Sequence, residues 1–142
     1  MLSYIAILCY TRKRRKLIGA IVMYESGEDY LEAILMIWQE KNECHSVDVA
    51  HKLNVSKPSV SRAMGILKED GYIFVDENQH INFTEKGLAK AQDVYDRHQL
   101  LTKFLMKITG LEEEQAEQNA CRIEHVIDSD VVRGIKNWMK NN

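Results

Sequence analysis

Residues 46–71 read SVDVAHKLNVSKPSVSRAMGILKEDG, from Ser46 to Gly71, and this stretch decides the fold. Apolar residues stand at Val47, Val49, Ala50 and Leu53, then at Val60, Met64, Ile66 and Leu67, two runs with helical spacing. Between them lies Asn54-Val55-Ser56, three residues that favour a tight turn. Ser46 is expected to cap the first short helix and Ser56 the second. Pro58 falls in the first turn of the second helix, where a missing N–H costs nothing. Asp70-Gly71 ends that helix with a glycine stop signal. Two short helices joined by three residues predict a helix-turn-helix.

On the C-terminal side, Tyr72–Val75 and His80–Phe83 are β-prone runs joined by a polar loop from Asp76 to Gln79, a hairpin that adds a wing. Thr84 caps a long helix from Glu85 to about Thr109, closed by Gly110. Its expected inward stripe is Leu88, Ala91, Val94 or Tyr95, His98, Leu101, Leu105 and Ile108. A further helix runs from about Glu112 to Val126, and Ser129 opens the last one. On the N-terminal side, Ser26-Gly27-Glu28-Asp29 reads as a helix start, with Leu31, Ile34, Leu35 and Trp38 as its apolar stripe to about Lys41. The fold class is mostly α: a winged helix-turn-helix over residues 23–84 followed by an all-helical domain over 85–142.

Residues 1–22 differ from the rest. The basic run Arg12-Lys13-Arg14-Arg15-Lys16 separates two apolar runs, and neither approaches the ~20 residues needed to span a bilayer. This atypical extension reads as a membrane-surface or DNA-backbone arm, as a folded extra helix, or as upstream sequence outside the native reading frame; the last is preferred, with Met23 as the physiological start. Residues 1–24 carry +5 against a net −2 for the chain, so the remainder carries −7. An acidic body that binds DNA must gather its basic groups on one surface and use its acids elsewhere. One proline and seven glycines leave little turn material, which argues against an all-β fold. Cys9, Cys44 and Cys121 are odd in number and form no C-x-x-C, so reduced thiols in a cytoplasmic protein are expected.

The second helix of the helix-turn-helix would enter the major groove by its N-terminal residues. These are Lys57, Pro58, Ser59, Ser61 and Arg62. Arg62 suits guanine or phosphate, Lys57 suits phosphate, and the serines are short enough for close approach. The wing tip is acidic at Asp76 and Glu77, which leaves His80 and Asn82 as the better wing contacts.

Chemistry of another kind sits at Cys121-Arg122-Ile123-Glu124-His125. In a helix, Cys121, Glu124 and His125 fall at i, i+3 and i+4, on one face about a turn apart. A sulfur, a carboxylate and an imidazole then come within reach of one cation. Each also has an ordinary use, as a small buried thiol, a solvated acid or a core histidine. Asp29 and Glu32, at i and i+3 on the first helix, read equally as first-turn and surface acids, and His98 as a hydrogen-bonded core residue. Taken together they are costly to gather unless a divalent ion offsets the repulsion.

From Glu28 onward the chain resembles the diphtheria toxin repressor family, which includes the manganese transport regulators. The resemblance rests on Glu28-Asp29-Tyr30-Leu31-Glu32, on Val55 to Arg62, on Thr84-Glu85-Lys86-Gly87, on Arg97-His98-Gln99-Leu100-Leu101 and on Ala120 to His125. It implies a dimeric winged-helix repressor that binds operator DNA when loaded with Mn²⁺ or Fe²⁺ and controls metal-uptake genes. Residues 85–142 would then be the metal-binding and dimerisation domain. Carried over residue by residue, the ligands are Asp29, Glu32, His98, Cys121, Glu124 and His125. Asp29 and Glu32 resemble the manganese branch and Cys121 the iron branch. Thr102 stands where iron-type members place an acid for an ancillary site, so none is expected here. With 17 residues after His125, the SH3-like third domain of longer members is not expected. The dimer interface is expected on the final helices, with Val132, Ile135 and Trp138 as apolar anchors.

Two other readings make different demands. A winged-helix regulator without metal would use Cys121 as a redox-sensing thiol. A small metal-dependent hydrolase would need a substrate cleft beside Glu124 or His125, which no motif supplies. Neither an enzyme, a membrane partner nor a small organic substrate is expected.

Overall fold

The computed structural model describes residues 20–142, with side chains from residue 27. The expected extension over residues 1–22 lies outside the described residues up to residue 19. The elements are α1 (Ala20–Lys41), α2 (Ser46–Leu53), α3 (Lys57–Glu69), β1 (Ile73–Val75), β2 (Ile81–Phe83), α4 (Glu85–Thr109), α5 (Glu113–Ile123) and α6 (Ser129–Asn141). The chain divides into two compact units, with the boundary inside α4 between Asp93 and Val94.

In the first unit, α1 carries the core. Tyr30, Leu31 and every residue from Ala33 to Ile37 are buried with Val49, Leu53, Val60, Met64, Leu67, Ile73 and Ile81. The helix begins at Ala20, so Ser26 lies within it and does not cap its start as the sequence suggested. Gly27 costs a helix only about 1 kcal/mol, too little to stop one with apolar residues on both sides.

The cap of α2 is also displaced by one residue. His45 is extended, at φ −113° and ψ 161°, and takes the N-cap position that was expected at Ser46. The reason is Asp48, whose Oδ2 accepts from His45 N at 2.8 Å and fixes where the helix begins. Val47, expected inward, is 56% exposed; the inward face takes Lys52 instead, whose Nζ is 3.2 Å from Glu40 Oε1. The cap of α3 is as expected: Ser56 Oγ accepts from Ser59 N at 3.3 Å, with Pro58 in the first turn. At its other end Gly71 has φ +80°. Gly71 N bonds Lys68 O at 3.1 Å and Tyr72 N bonds Leu67 O at 2.9 Å, the paired bonds of a Schellman stop.

The wing is a two-stranded antiparallel hairpin with Ile73 opposite Phe83, Phe74 opposite Asn82 and Val75 opposite Ile81. Asp76 organises its loop. Oδ1 accepts from Asn78 N and His80 N, each at 2.9 Å, and Oδ2 accepts from Asn82 Nδ2 at 3.1 Å. The His80 N–H, followed by Asn82 and Asn78, holds the Asp76 carboxyl below its ordinary range despite the opposing effect of burial. Behind the wing, Thr84 Oγ1 accepts from Gly87 N at 3.0 Å and so caps α4. Lys86 Nζ donates to Asp70 O at 2.9 Å and lies 4.4 Å from the centre of the Tyr72 ring.

In the second unit, Val94, Leu101, Ala116, Ala120 and Cys121 are buried. The α4 stripe is shorter than its periodicity implied: Leu88 and Ile108 are about half exposed, because a 25-residue helix outruns what packs against it. α5 ends at Ile123, earlier than the expected Val126. Val126 N and Ile127 N both bond Ile123 O at 3.1 Å, which closes the helix in a turn. α6 is amphipathic and buries none of its residues. Trp138 meets Phe104 edge to face, with ring centres 5.6 Å apart.

Candidate functional site

The side chains on α4 and at the end of α5 form a buried polar cluster. His98 lies one turn inside the second unit, 8% exposed, and Glu124 is fully buried. His98 Nδ1 is 2.7 Å from Glu124 Oε2, and the other ring nitrogen, Nε2, is 3.4 Å from Glu117 Oε1. Glu124 keeps a helical backbone, at φ −59° and ψ −27°, with its N–H on Ala120 O at 2.9 Å. The i, i+3 relation to Cys121 therefore survives although the helix has ended. Arg97, next to His98, donates to Glu124 O at 2.7 Å. Neighbouring residues of α4 thus hold Glu124 at both its carboxylate and its carbonyl. Thr102 Oγ1 donates to His98 O at 2.8 Å and takes a backbone role.

His125 follows in the turn, its ring out of solvent. Glu124 Oε1 is 3.0 Å from His125 Nε2 but receives no hydrogen bond of good geometry. A fully buried carboxylate oxygen is thereby left with an open lone pair, costly without a cation. Burial pushes the Glu124 carboxyl up; His125 and then His98 beside it more than offset that and hold it below the ordinary value. An anionic carboxylate with an imidazole beside each of its oxygens offers donors of the kind a first-row divalent ion takes, so the residue types present fit one.

Of the six ligands the sequence nominated, the second unit pairs His98 with one oxygen of Glu124 and His125 with the other. Cys121 is buried on the same helix, 7% exposed; among the described residues it joins no group of three or more candidate ligands within 4.8 Å of one another. Asp29 and Glu32 stand on α1 in the first unit, half-buried and 9% exposed respectively. Glu117 was missed. Its spacing of four to Cys121 and seven to Glu124 places it on their face, a signal that was there to read.

The reading helix presents its nominated residues outward. Lys57, Pro58, Ser61 and Arg62 are exposed and Ser59 is half-buried. Ser59 Oγ is 2.8 Å from Ser56 Oγ, which fixes its direction at the start of α3. His80 stands at the base of the wing, half-buried.

Two families match adjacent parts of the chain. The iron-dependent repressor N-terminal DNA-binding domain matches residues 23–81. The iron-dependent repressor metal-binding and dimerisation domain matches residues 84–142. The HTH-type transcriptional regulator MntR of Bacillus velezensis is 34% identical over 100 residues, 70% of this chain and 70% of that protein. The chain belongs to the iron-dependent repressor family.

Other relatives of this repressor family extend the likeness. The iron-dependent repressor IdeR of Mycobacterium tuberculosis is 32% identical over 119 residues, 84% of this chain and 52% of that one. The crystal structure of the metal-dependent transcriptional regulator MtsR superposes with a TM-score of 0.75 at 26% identity, covering 80% of this chain and 53% of that chain. The family member described here therefore spans about half the length of these two. Among the described residues no helix is long and apolar enough to cross a membrane.

Proposed function

We propose that this chain is a transcriptional repressor that binds double-stranded operator DNA as a homodimer when loaded with Mn²⁺ or Fe²⁺, and that it controls metal-uptake genes from the cytoplasm. The observation that carries the reading is the fully buried Glu124 carboxylate between His98 and His125, with one oxygen left for a cation. The ligand set is Asp29, Glu32, His98, Cys121, Glu124 and His125, as the family resemblance carries it onto this chain.

Residues 23–84 read DNA in this proposal, and residues 85–142 bind metal and pair two chains. Lys57, Pro58, Ser59, Ser61 and Arg62 meet the major groove, and His80 meets the backbone beside it. Val132, Ile135 and Trp138 anchor the dimer, so that two reading helices reach successive grooves about 34 Å apart. When bound, the divalent cation neutralises the clustered acids and must favour the DNA-competent arrangement over the other. Arg97 keeps Glu124 in place, and His98 orients its carboxylate. These roles are those of binding, and no catalytic step is assigned.

The test is fluorescence anisotropy on a duplex selected from random-sequence DNA by the Mn²⁺-loaded protein. Affinity should rise with Mn²⁺, or with Fe²⁺ under anaerobic reductant, and fall on adding chelator. Binding that ignores chelator and responds to peroxide would sink the proposal in favour of a thiol sensor.

A further inference from the structure

Glu43, His45 and His80 come together at the base of the wing, within the first unit. Each offers a ligand atom, and these atoms all lie within 4.8 Å of one another. Glu43 Oε2 is 3.3 Å from His80 Nε2. The two imidazole rings meet edge to face with centres 4.6 Å apart. Donors bound to one tetrahedral ion at about 2.1 Å are themselves about 3.4 Å apart. The Glu43–His80 pair already has that separation, and His45 offers an atom within 4.8 Å of both.

The backbone beneath the cluster is fixed. Ile81 N bonds Cys44 O at 2.7 Å, and Trp38 Nε1 donates to Ile81 O at 2.8 Å. Cys44 sits between Glu43 and His45, Ile81 follows His80, and both are buried. The three ligand side chains therefore project from one clamped junction of the α1–α2 connection with the wing. Carboxylates stand behind both rings: His80 Nδ1 is 3.4 Å from Asp76 Oδ2, and His45 Nδ1 is 3.5 Å from Asp48 Oδ2. A carboxylate behind Nδ1 selects the tautomer that leaves Nε2 for a metal. The cluster is open to solvent, since Glu43 is exposed and both rings are half-buried.

We propose that Glu43, His45 and His80 form a second divalent-metal site, of the zinc type, that ties the wing to the α1–α2 connection. Two imidazoles and one carboxylate, with a fourth position left to water, suit Zn²⁺ better than the carboxylate-seeking Mn²⁺. This site shares no residue with the His98–Glu124–His125 cluster and does not depend on what that cluster binds.

The test uses the full chain carrying His98→Ala and Glu124→Gln, which takes away the buried carboxylate of the other cluster and one of its imidazoles. Zn²⁺ uptake is measured by competition with a chromophoric chelator, and Co²⁺ is added in parallel for its tetrahedral visible bands. Zn²⁺ should bind this background, and His45→Ala or His80→Ala should each weaken that uptake at least ~10-fold. Uptake that is absent, or unchanged by both substitutions, overturns the proposal. Should the doubly substituted background fail to fold, the wild-type chain decides by NMR. Ring signals of His45 and His80 that shift on adding Zn²⁺ support the site, and ring signals that stay put overturn it.

Discussion

A Cβ on Gly87 would stand 1.7 Å from the carbonyl oxygen of Tyr72. Gly87 is therefore where α4 and the turn between α3 and β1 approach backbone to backbone. Thr84 N bonds the same Tyr72 oxygen at 3.0 Å. The motif Thr84-Glu85-Lys86-Gly87 is thus a docking device, in which a cap, a cation over an aromatic ring and a residue without a side chain act on one turn. Gly87→Ala gains helix propensity of about 1 kcal/mol, but the clash is with backbone and cannot be relieved by a rotamer. The variant should be destabilised by about 1–3 kcal/mol. Urea unfolding followed by circular dichroism checks this, and a variant as stable as the parent would contradict the close approach.

Arg97 should matter to metal affinity without touching the metal. Its guanidinium holds Glu124 O at 2.7 Å while His98 holds the carboxylate. Arg97→Ala frees the backbone on which two candidate ligands stand. Loss of such an outer partner typically costs about 10–100-fold in metal affinity. Competitive Mn²⁺ titration measures it, and Arg97→Lys should recover only part, since an ammonium is a different shape of donor. Glu124→Gln should remove the metal response altogether. An Arg97→Ala chain that binds Mn²⁺ like the wild type would mean that the carboxylate alone positions the site.

The buried thiol of Cys44 gives a pH signature. Burial first, and the nearby Asp48 charge second, push its pKa from 9.0 to about 12. The unfolded chain releases this proton near pH 9 and the folded chain keeps it. The folded state then binds more protons, so stability falls as pH rises from about 9 towards 12. Other groups also titrate there, and a Cys44→Ala comparison isolates the effect. The stability gap between the two chains should be constant below pH 8 and should shift against the wild type above pH 9. In the folded protein Cys44 should also resist iodoacetamide at pH 8 until urea is added.

Much of this fold was legible because its punctuation is local. Ser56, Pro58, Gly71, Thr84 and Gly110 each act within a few residues of themselves, and each is placed where its chemistry required. The misplaced boundaries have tertiary causes. His45 displaced Ser46 because Asp48 reaches back to it, and α5 closed at Ile123 because two later amides turn onto one carbonyl. Periodicity overestimated the inward faces of α2 and α4, since it reports where apolar residues lie and not how far a neighbouring element extends. In the candidate site, His98, Glu124 and His125 were readable from type and spacing. Glu117 was not singled out, because a helix with three more glutamates nearby hides a buried one by composition. The wing cluster was invisible, because Glu43 and His45 meet His80 only through the pairing of Ile81 with Cys44.

The last helix makes a prediction about assembly. α6 buries none of its residues in the single chain, yet Val132, Ile135 and Met139 repeat at helical spacing beside Trp138. An apolar stripe at that spacing is stable in water when something covers it. A second copy of the chain would do so, and a closed C₂ pair buries the same stripe on both copies. Ile135→Glu places a charge in the middle of the stripe without disturbing a buried residue of its own chain. Sedimentation equilibrium should show a dimer for the wild type and a monomer for Ile135→Glu, with helical content unchanged. Operator affinity should fall by several orders of magnitude, because one reading helix then binds where two did. If the substituted chain stays dimeric, the pairing surface lies elsewhere, and Val132 and Trp138 lose their assigned role along with Ile135.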